Sequence, residues 1–378
     1  MVGVGRSAKN SDSKGTAVKK SSQIQPVGAT ALPDRVSVAM TEIAESMHEG
    51  LLALAIGAGL QVMQALMEVD VTTLAGLSAR RYPVGLAPVG EQVGETSSAT
   101  SKSAVSRRFV AMTETALAEL LSQDLSGLDL VALMIDGVHF AESCCVVALG
   151  IGIDGVKHPL ALVEGSTENA TLVTDLLVGL RERGLDVTRP MLVGLDGSKA
   201  LRRAVLDVLD HPVIQRCQLH NIRNVKDHLP QRLRSSVGHR MTDAYHAGSA
   251  LDAEAALLAL AKELDRTHPG AAASLREGLD ETLTVLRLGV PPTLARTLRS
   301  TNAIESMISV CREHAGNVKR WRDAQMALRG CAAGMVEAGK QFRRVNGHLH
   351  LPSLRAALER EIAEPLGPDV HNDEVSAA

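Results

Sequence analysis

Aromatic residues are nearly missing from this 378-residue chain, which holds one Trp, two Tyr and three Phe, 2% of the whole. A core built without them must rest on Leu, Val, Ile, Ala and Met. Cysteine is sparse as well. Five residues (Cys144, Cys145, Cys217, Cys311 and Cys331), an odd number in a long chain, fit reduced thiols better than a disulfide framework. There is no surplus of positive charge. The formal net charge is -3, so any nucleic-acid binding has to come from local basic patches. Long apolar runs are missing too. The most apolar window, residues 51–60, is too short to span a bilayer, and no signal-peptide pattern is found. A soluble, cytoplasmic protein with no membrane association is therefore expected.

What is present is a chain long enough for two or three domains, with an ordinary hydrophobic fraction of 45%. Residues 1–34 are rich in Ser, Lys and Gly and lack apolar periodicity, as a solvated tail would. Ile43, Met47, Leu51, Leu52 and Ile56 repeat at helical spacing. After an irregular stretch holding Pro83 and Pro88, a second amphipathic helix is predicted over 101–121. It opens with Lys102, Arg107 and Arg108. Residues 35–122 thus read as a helical N-terminal region with a helix-turn-helix-like segment, its hydroxyls and cations suited to phosphates, or as a plain surface helix. Residues 364–378 read as a polar tail.

The informative block is 128–230. Residues 130–135 are six apolar residues ending in Asp136-Gly137, and 191–195 end the same way in Asp196-Gly197. A short apolar run fits a buried strand, and an acid at its end is held rigidly while still meeting solvent. Between them lie a strand at 144–153, an Asp154-Gly155 turn signal and a strand at 156–163. A helix at 168–184 follows, with Leu172, Leu176, Leu177 and Leu180 on one face. Beyond Asp196 come a helix at 198–209, a strand at 213–217 and a helix at 220–229. The order is β-β-β-α-β-α-β-α. A dinucleotide-binding sheet would open β-α-β with GxGxxG at the first turn; this chain opens on a hairpin and has no such loop there. Residues 231–296 read as a helical insertion, with one helix marked by Leu251, Leu258 and Leu264 and another by Leu275, Leu279, Leu283 and Leu286, until Pro291-Pro292 breaks it. Residues 297–335 read as helical again.

Two strand-end aspartates need a third ligand to build a two-cation site, and Glu305, in the first turn of a helix, is the best candidate. Arg312 shares its helix face. Glu305 also suits the third position of a capping box with Asn302, and Asp-Gly is a common turn. Cys217-x-x-His220 is half of a zinc pattern without a second pair, so Cys217 also reads as a buried small hydrophobe and His220 as a group orienting a phosphate or carboxylate. Arg223, Lys319 and Arg320 lie in basic stretches. Trp321, set among cations, suits base stacking and core packing alike.

Taken together in order and spacing, Ile135-Asp136-Gly137, Asp196-Gly197-Ser198-Lys199, Cys217-Gln218-Leu219-His220-Asn221-Ile222-Arg223-Asn224 and Ser300-Thr301-Asn302-Ala303-Ile304-Glu305-Ser306 resemble the mutator-type transposases of bacterial insertion sequences, a DDE family. The resemblance covers roughly residues 77–358. It implies a ribonuclease-H-like catalytic domain, residues 128–230 and 297–345, interrupted by the helical insertion. It implies that Asp136, Asp196 and Glu305 are the catalytic, metal-binding acids for two Mg²⁺ ions, with Mn²⁺ as a substitute. Arg312 matches the family's basic residue after the glutamate, Cys217 and His220 match its Cys-x-x-His signature, and Trp321 resembles its downstream tryptophan. The implied chemistry is nicking at transposon ends and direct attack of the freed 3′-hydroxyl on target DNA. The implied partners are terminal inverted repeats, target DNA and a second copy of the chain, on the bacterial nucleoid. One departure is visible: Leu74-Ala75-Gly76 runs straight into Leu77, where relatives carry a longer Arg- and Gly-rich stretch. An internal deletion there keeps open a DNA-binding relic without catalysis, and the same fold also serves metal-dependent nucleases.

Overall fold

The computed structural model describes residues 102–316, 318 and 320–363. Lys319 and the expectations for residues 1–101 and 364–378 lie outside the described residues, as does most of the helix-turn-helix-like segment.

Five strands form one mixed sheet: β1 (Leu130–Phe140), β2 (Ser143–Gly152), β3 (Lys157–Gly165), β4 (Met191–Leu195) and β5 (Pro212–Arg216), in spatial order β3-β2-β1-β4-β5. The first three pair antiparallel, while β1, β4 and β5 run parallel. The helices α2 (Ala170–Glu182), α3 (Lys199–Val208) and α4 (Gln218–Asp227) follow β3, β4 and β5, so the element order is the one read from the sequence. The apolar runs are continuous because both sheet faces are covered. One face carries Ala132, Met134, Val147, Leu149 and Leu192. It packs against α1 (Lys102–Ser122), α11 (Asn302–Ala315), α12 (Ala324–Gln341) and α13 (Leu351–Ala363). The other face carries Leu133, Ile135, Val146, Val193 and Leu195 and packs against α2 and α3.

Between α4 and α11 the chain is helical, in α5 (Gln231–Tyr245), α6 (Ala250–Asp265), α7 (Pro269–Arg276), α8 (Leu279–Thr282), α9 (Thr284–Arg287) and α10 (Pro292–Leu298). The core of α5 to α8 joins Val225 and Leu229 and is distinct from both sheet cores. Buried polar side chains tie its end to the sheet. The Gln215 amide donates to the Thr282 carbonyl at 3.0 Å and accepts from the Val285 N–H at 2.8 Å, and the Thr284 hydroxyl donates to the Ile214 carbonyl at 2.7 Å.

The structure corrects several boundaries. The single helix expected through Leu275, Leu279, Leu283 and Leu286 is three short ones. Its break falls at Glu277, whose backbone is extended, and at Gly278, whose φ of +64 suits a residue without a Cβ. Pro292 starts a helix rather than ending one, because the first turn has no need of its missing N–H. The helical stretch expected over 297–335 is interrupted twice, between α10 and α11 and between α11 and α12. The packing around the sheet extends past 345. Leu351, Leu354 and Leu358 of α13 are buried in the sheet core, and the Arg355 guanidinium donates to the Leu130 carbonyl at 2.7 Å. Nor is α1 a free surface helix, since Leu120 is buried in that core and the Leu120 carbonyl accepts from Arg183 at 2.7 Å.

Candidate active site

The sheet's parallel half sets the geometry. Gly194 on β4 pairs with Met134 on β1 and with Gln215 on β5. Two residues beyond these stand Asp136, which lies inside β1 because that strand continues to Phe140 rather than ending at the acid, and Asp196 and Cys217, each directly after its strand. Side chains alternate along a strand, so both carboxylates fall on the face of Met134 and Leu192, the face that α11 covers. The backbone holds each acid. The Asp136 carboxylate accepts from its neighbour Gly137 N–H at 2.8 Å, and Asp196 accepts from Ser198 N–H at 2.8 Å. Ser198 in turn caps α3 through its hydroxyl.

Gly197 makes the turn after Asp196 possible. Its φ is +112, and a Cβ there would lie 2.4 Å from the Arg216 Nε. Arg216 is buried, and a Cβ on Gly278 would meet the same guanidinium. Gly197→Ala is therefore expected to lower stability by roughly 2–5 kcal/mol, from backbone strain and overpacking together. Urea unfolding followed by circular dichroism checks this; a loss below about 1 kcal/mol would mean that the turn relaxes freely.

Glu305 sits one turn into α11. The capping box with Asn302 is not formed: Asn302 is already the first helical residue, and Thr301 stands at the N-cap. Thr301 is fully buried, and its hydroxyl donates to the Glu305 Oε1 at 2.8 Å. The same hydroxyl lies 3.4 Å from His220 Nδ1, which is 3.8 Å from Glu305 Oε1. Cys217 is the N-cap of α4 rather than the end of a strand, and its Sγ accepts from the Thr301 N–H at 3.5 Å. Two helix N-termini thus meet at Cys217, His220, Thr301 and Glu305.

The electrostatics show that the acids share one field. Burial pushes the Asp136 carboxyl up to about 7, and the charge of Asp196 adds to this; the Gly137 N–H and His220 pull it back, and Glu305 raises it further. Burial raises the Cys217 thiol, but hydrogen bonds from His220 and Thr301 outweigh it and leave the thiol below its ordinary value. Its hydrogen bond to Cys217 raises His220 against the opposing effect of burial.

A further acid emerges that sequence reading missed. Glu168, just before α2, is raised by burial and by the charge of Asp196, with Ser198 lowering it. Its Oε2 would lie 2.7 Å from a Cβ on Gly137. The only sequence signal was an acid in the turn before a predicted helix, which is ordinary. Thr301 was missed for a like reason.

The basic residues are more scattered. Arg107, Arg108, Arg223, Arg312 and Arg320 are exposed, and Lys102 is the first residue of α1. Arg223 lines a groove of about 590 Å³ between α4 and α5 together with Lys226 and Arg234. Trp321 is half-buried. It packs on Phe140 with ring centroids 5.0 Å apart and lies near Gly330, so it is at least partly a core residue.

The sequence matches the family model described as transposase, Mutator family, over residues 63–345. It is 32% identical over 197 residues to the transposase for insertion sequence element IS6120 of Mycolicibacterium smegmatis, covering 50% of this chain and 60% of that one. It is 30% identical over 195 residues to a probable insertion-sequence transposase of Corynebacterium diphtheriae, covering 51% and 56%. A longer match, 27% over 284 residues, is to the transposase for ISRM5 of Rhizobium meliloti (strain 1021), covering 74% and 69%. The chain spans less than two thirds of the first two relatives' own length.

Proposed function

Because the chain belongs to the Mutator family of transposases, we propose that it cuts DNA at the ends of an insertion sequence and joins the freed strand to target DNA. The observation that carries this reading is the convergence of Asp136, Asp196 and Glu305. Asp136 stands within β1, Asp196 directly follows the adjacent parallel strand β4, Glu305 comes from α11, and the charges of Asp196 and Glu305 both raise the Asp136 carboxyl. On this reading the β3-β2-β1-β4-β5 sheet is ribonuclease-H-like, with α5 to α10 as its insertion.

A partly buried carboxylate raised by the charges of two others fits hard divalent cations, which take oxygen ligands and keep water for a phosphate. Asp136, Asp196 and Glu305 would hold them, Mg²⁺ or Mn²⁺ in its place. Such ions would supply an activated oxygen nucleophile and stabilisation of the leaving oxygen. The sheet fixes the two aspartates. Thr301 aims Glu305, and Cys217 and His220 back that helix end. Arg312 shares α11 with Glu305, and Arg107, Arg108, Arg223 and Arg320 are the exposed cations offered to phosphates, with Lys102 and Lys319 beside them in sequence. Trp321 stands close to a frayed base only if its ring leaves Phe140. Transposition needs two ends held together, so a dimer or higher assembly on the DNA of the bacterial nucleoid is part of the reading. Among the described residues no helix is long and apolar enough to cross a membrane.

The test is a cleavage assay on labelled DNA carrying the inverted repeats that flank the chain's own gene, with Mg²⁺ or Mn²⁺. Metal-dependent nicks at the repeat boundary and joined products support the proposal. Nicks without joining would leave a nuclease, and specific binding without nicks a relic of the kind the shortened stretch at Gly76 suggests. Binding should also weaken steeply with salt. For about five phosphate contacts the log–log slope is near -4.5, and Arg312→Ala should reduce it by about one. An unchanged slope in that variant would remove Arg312 from the interface.

A further inference from the structure

Among the described residues, one set of three metal-ligating atoms lies within 4.8 Å of one another: Cys217 Sγ, a His220 ring nitrogen and a Glu305 carboxylate oxygen. Neither Asp136 nor Asp196 belongs to it. The three donors come from two helices that meet head to head, α4 and α11, and Thr301 ties them together. Cys217 is buried at an N-cap, where the helix end favours a thiolate. His220 lies one turn along, and Glu305 is oriented by the Thr301 hydroxyl at 2.8 Å. A carboxylate already held by a neighbouring hydroxyl is the outer support that metal ligands usually need.

From this placement we infer that Cys217, His220 and Glu305 form a binding site for a thiophilic divalent cation of the zinc class. The donor set is that of zinc and not of magnesium: one sulfur, one imidazole and one carboxylate. Bond lengths of about 2.3 Å to sulfur and about 2.0–2.2 Å to nitrogen and oxygen put tetrahedral donors roughly 3.3–3.7 Å apart. His220 Nδ1 and Glu305 Oε1 are already at 3.8 Å, so closure needs only small side-chain rotations. On binding, the Cys217 thiol loses its proton to solvent and the sulfur–metal bond forms in its place. Thiolate and carboxylate then neutralise the ion's two charges, which suits a half-buried position. A fourth position stays open to water.

The consequence rests on the proposed function. Glu305 belongs to both sets, so a soft cation bound to Cys217 withdraws it from Asp136 and Asp196. Zinc would then act as an antagonist of the hard cations and not as their substitute.

The test uses the full chain, reduced and stripped of metal. Titration with Co²⁺ is expected to give a near-ultraviolet thiolate-to-cobalt charge-transfer band that saturates at one equivalent. Cys217→Ser should abolish the band, and His220→Gln should weaken binding more than tenfold. Circular dichroism of each variant confirms that it is folded. If Cys217→Ser does not fold, His220→Gln alone decides: an unchanged affinity overturns the site. A wild-type chain with no band, or a band that persists in folded Cys217→Ser, overturns it as well. Paramagnetic resonance of Mn²⁺ gives the second arm. One equivalent of Zn²⁺ should lower the Mn²⁺ bound by wild type. A cobalt band with no Mn²⁺ binding at all would leave the soft site standing and sink the hard-cation reading; Mn²⁺ binding with no cobalt band would do the reverse.

Discussion

Replacing Asp196 by Asn is expected to cut metal-dependent DNA cleavage about a thousandfold or more, with the fold intact and DNA affinity within a few-fold of wild type. The magnitude follows from what the acid does. A cation stabilises developing charge by several kcal/mol, and about 4 kcal/mol corresponds to a factor near one thousand in rate. Asn keeps the size and the oxygen that accepts the Ser198 N–H, so the turn into α3 should survive. It removes the negative charge that a hard cation requires. Asp196 is not placed among the exposed cations that would meet phosphates, so affinity should hold. Single-turnover nicking of repeat-end DNA measures the rate, and a mobility shift without metal measures binding. A variant that retains cleavage within tenfold would take Asp196 out of the site. Lost cleavage together with lost binding would point to a damaged fold instead, which urea unfolding can separate.

The acids were legible because a buried strand leaves a plain mark. An apolar run of five or six residues has to be covered on both faces, and a carboxylate can stand only where the run ends. That logic located Asp136 and Asp196 and ordered the strands around them. The hairpin start was readable from Asp154-Gly155 for the same kind of local reason. What stayed hidden depends on tertiary contact. Glu168 looks like any acid before a helix until β1 brings Gly137 beneath it. Thr301 looks like a cap residue, and nothing local says that its hydroxyl meets both Glu305 and His220. The breaks at Glu277 and Gly278 were masked by leucines that keep helical spacing across them, because each short piece buries its own Leu in the same core. α13 was passed over because its two strongest anchors, Arg355 on the Leu130 carbonyl and Leu351 in the sheet core, connect to strands far back in the chain. Local reading offered Glu305 both as a third acid and as the closing member of a cap with Asn302. In the fold Thr301 takes the N-cap, and the charge of Glu305 raises the Asp136 carboxyl.

A folded chain lacking cations should lose stability as pH rises from about 4 to about 7, and Asp136→Asn should remove much of that loss. The Asp136 carboxyl is raised to about 7 in the fold, first by burial and then by Asp196, against an ordinary value near 3.8. Between those two values the folded chain keeps a proton that the unfolded chain has released. Stability therefore falls with rising pH through this window, and the whole penalty stands above it. Asn carries no charge at any of these pH values. At pH 8 the variant should be the more stable of the two by on the order of 2–4 kcal/mol, and the gap should close toward pH 4. Divalent cations should act in the opposite direction from proton loss. Millimolar Mg²⁺ at pH 8 binds the folded site and not the unfolded chain, so it should raise the melting temperature of wild type, and raise that of Asp136→Asn far less. Thermal melts of both proteins at pH 5 and pH 8, with and without Mg²⁺, test the two effects together. If the variant's advantage does not grow between pH 5 and pH 8, Asp136 ionises as an ordinary carboxylate and its coupling to Asp196 is absent. If wild type is indifferent to Mg²⁺ while that pH-dependent gap is present, the acids crowd one another without holding a cation, and catalysis by hard metal ions fails as the reading of this site.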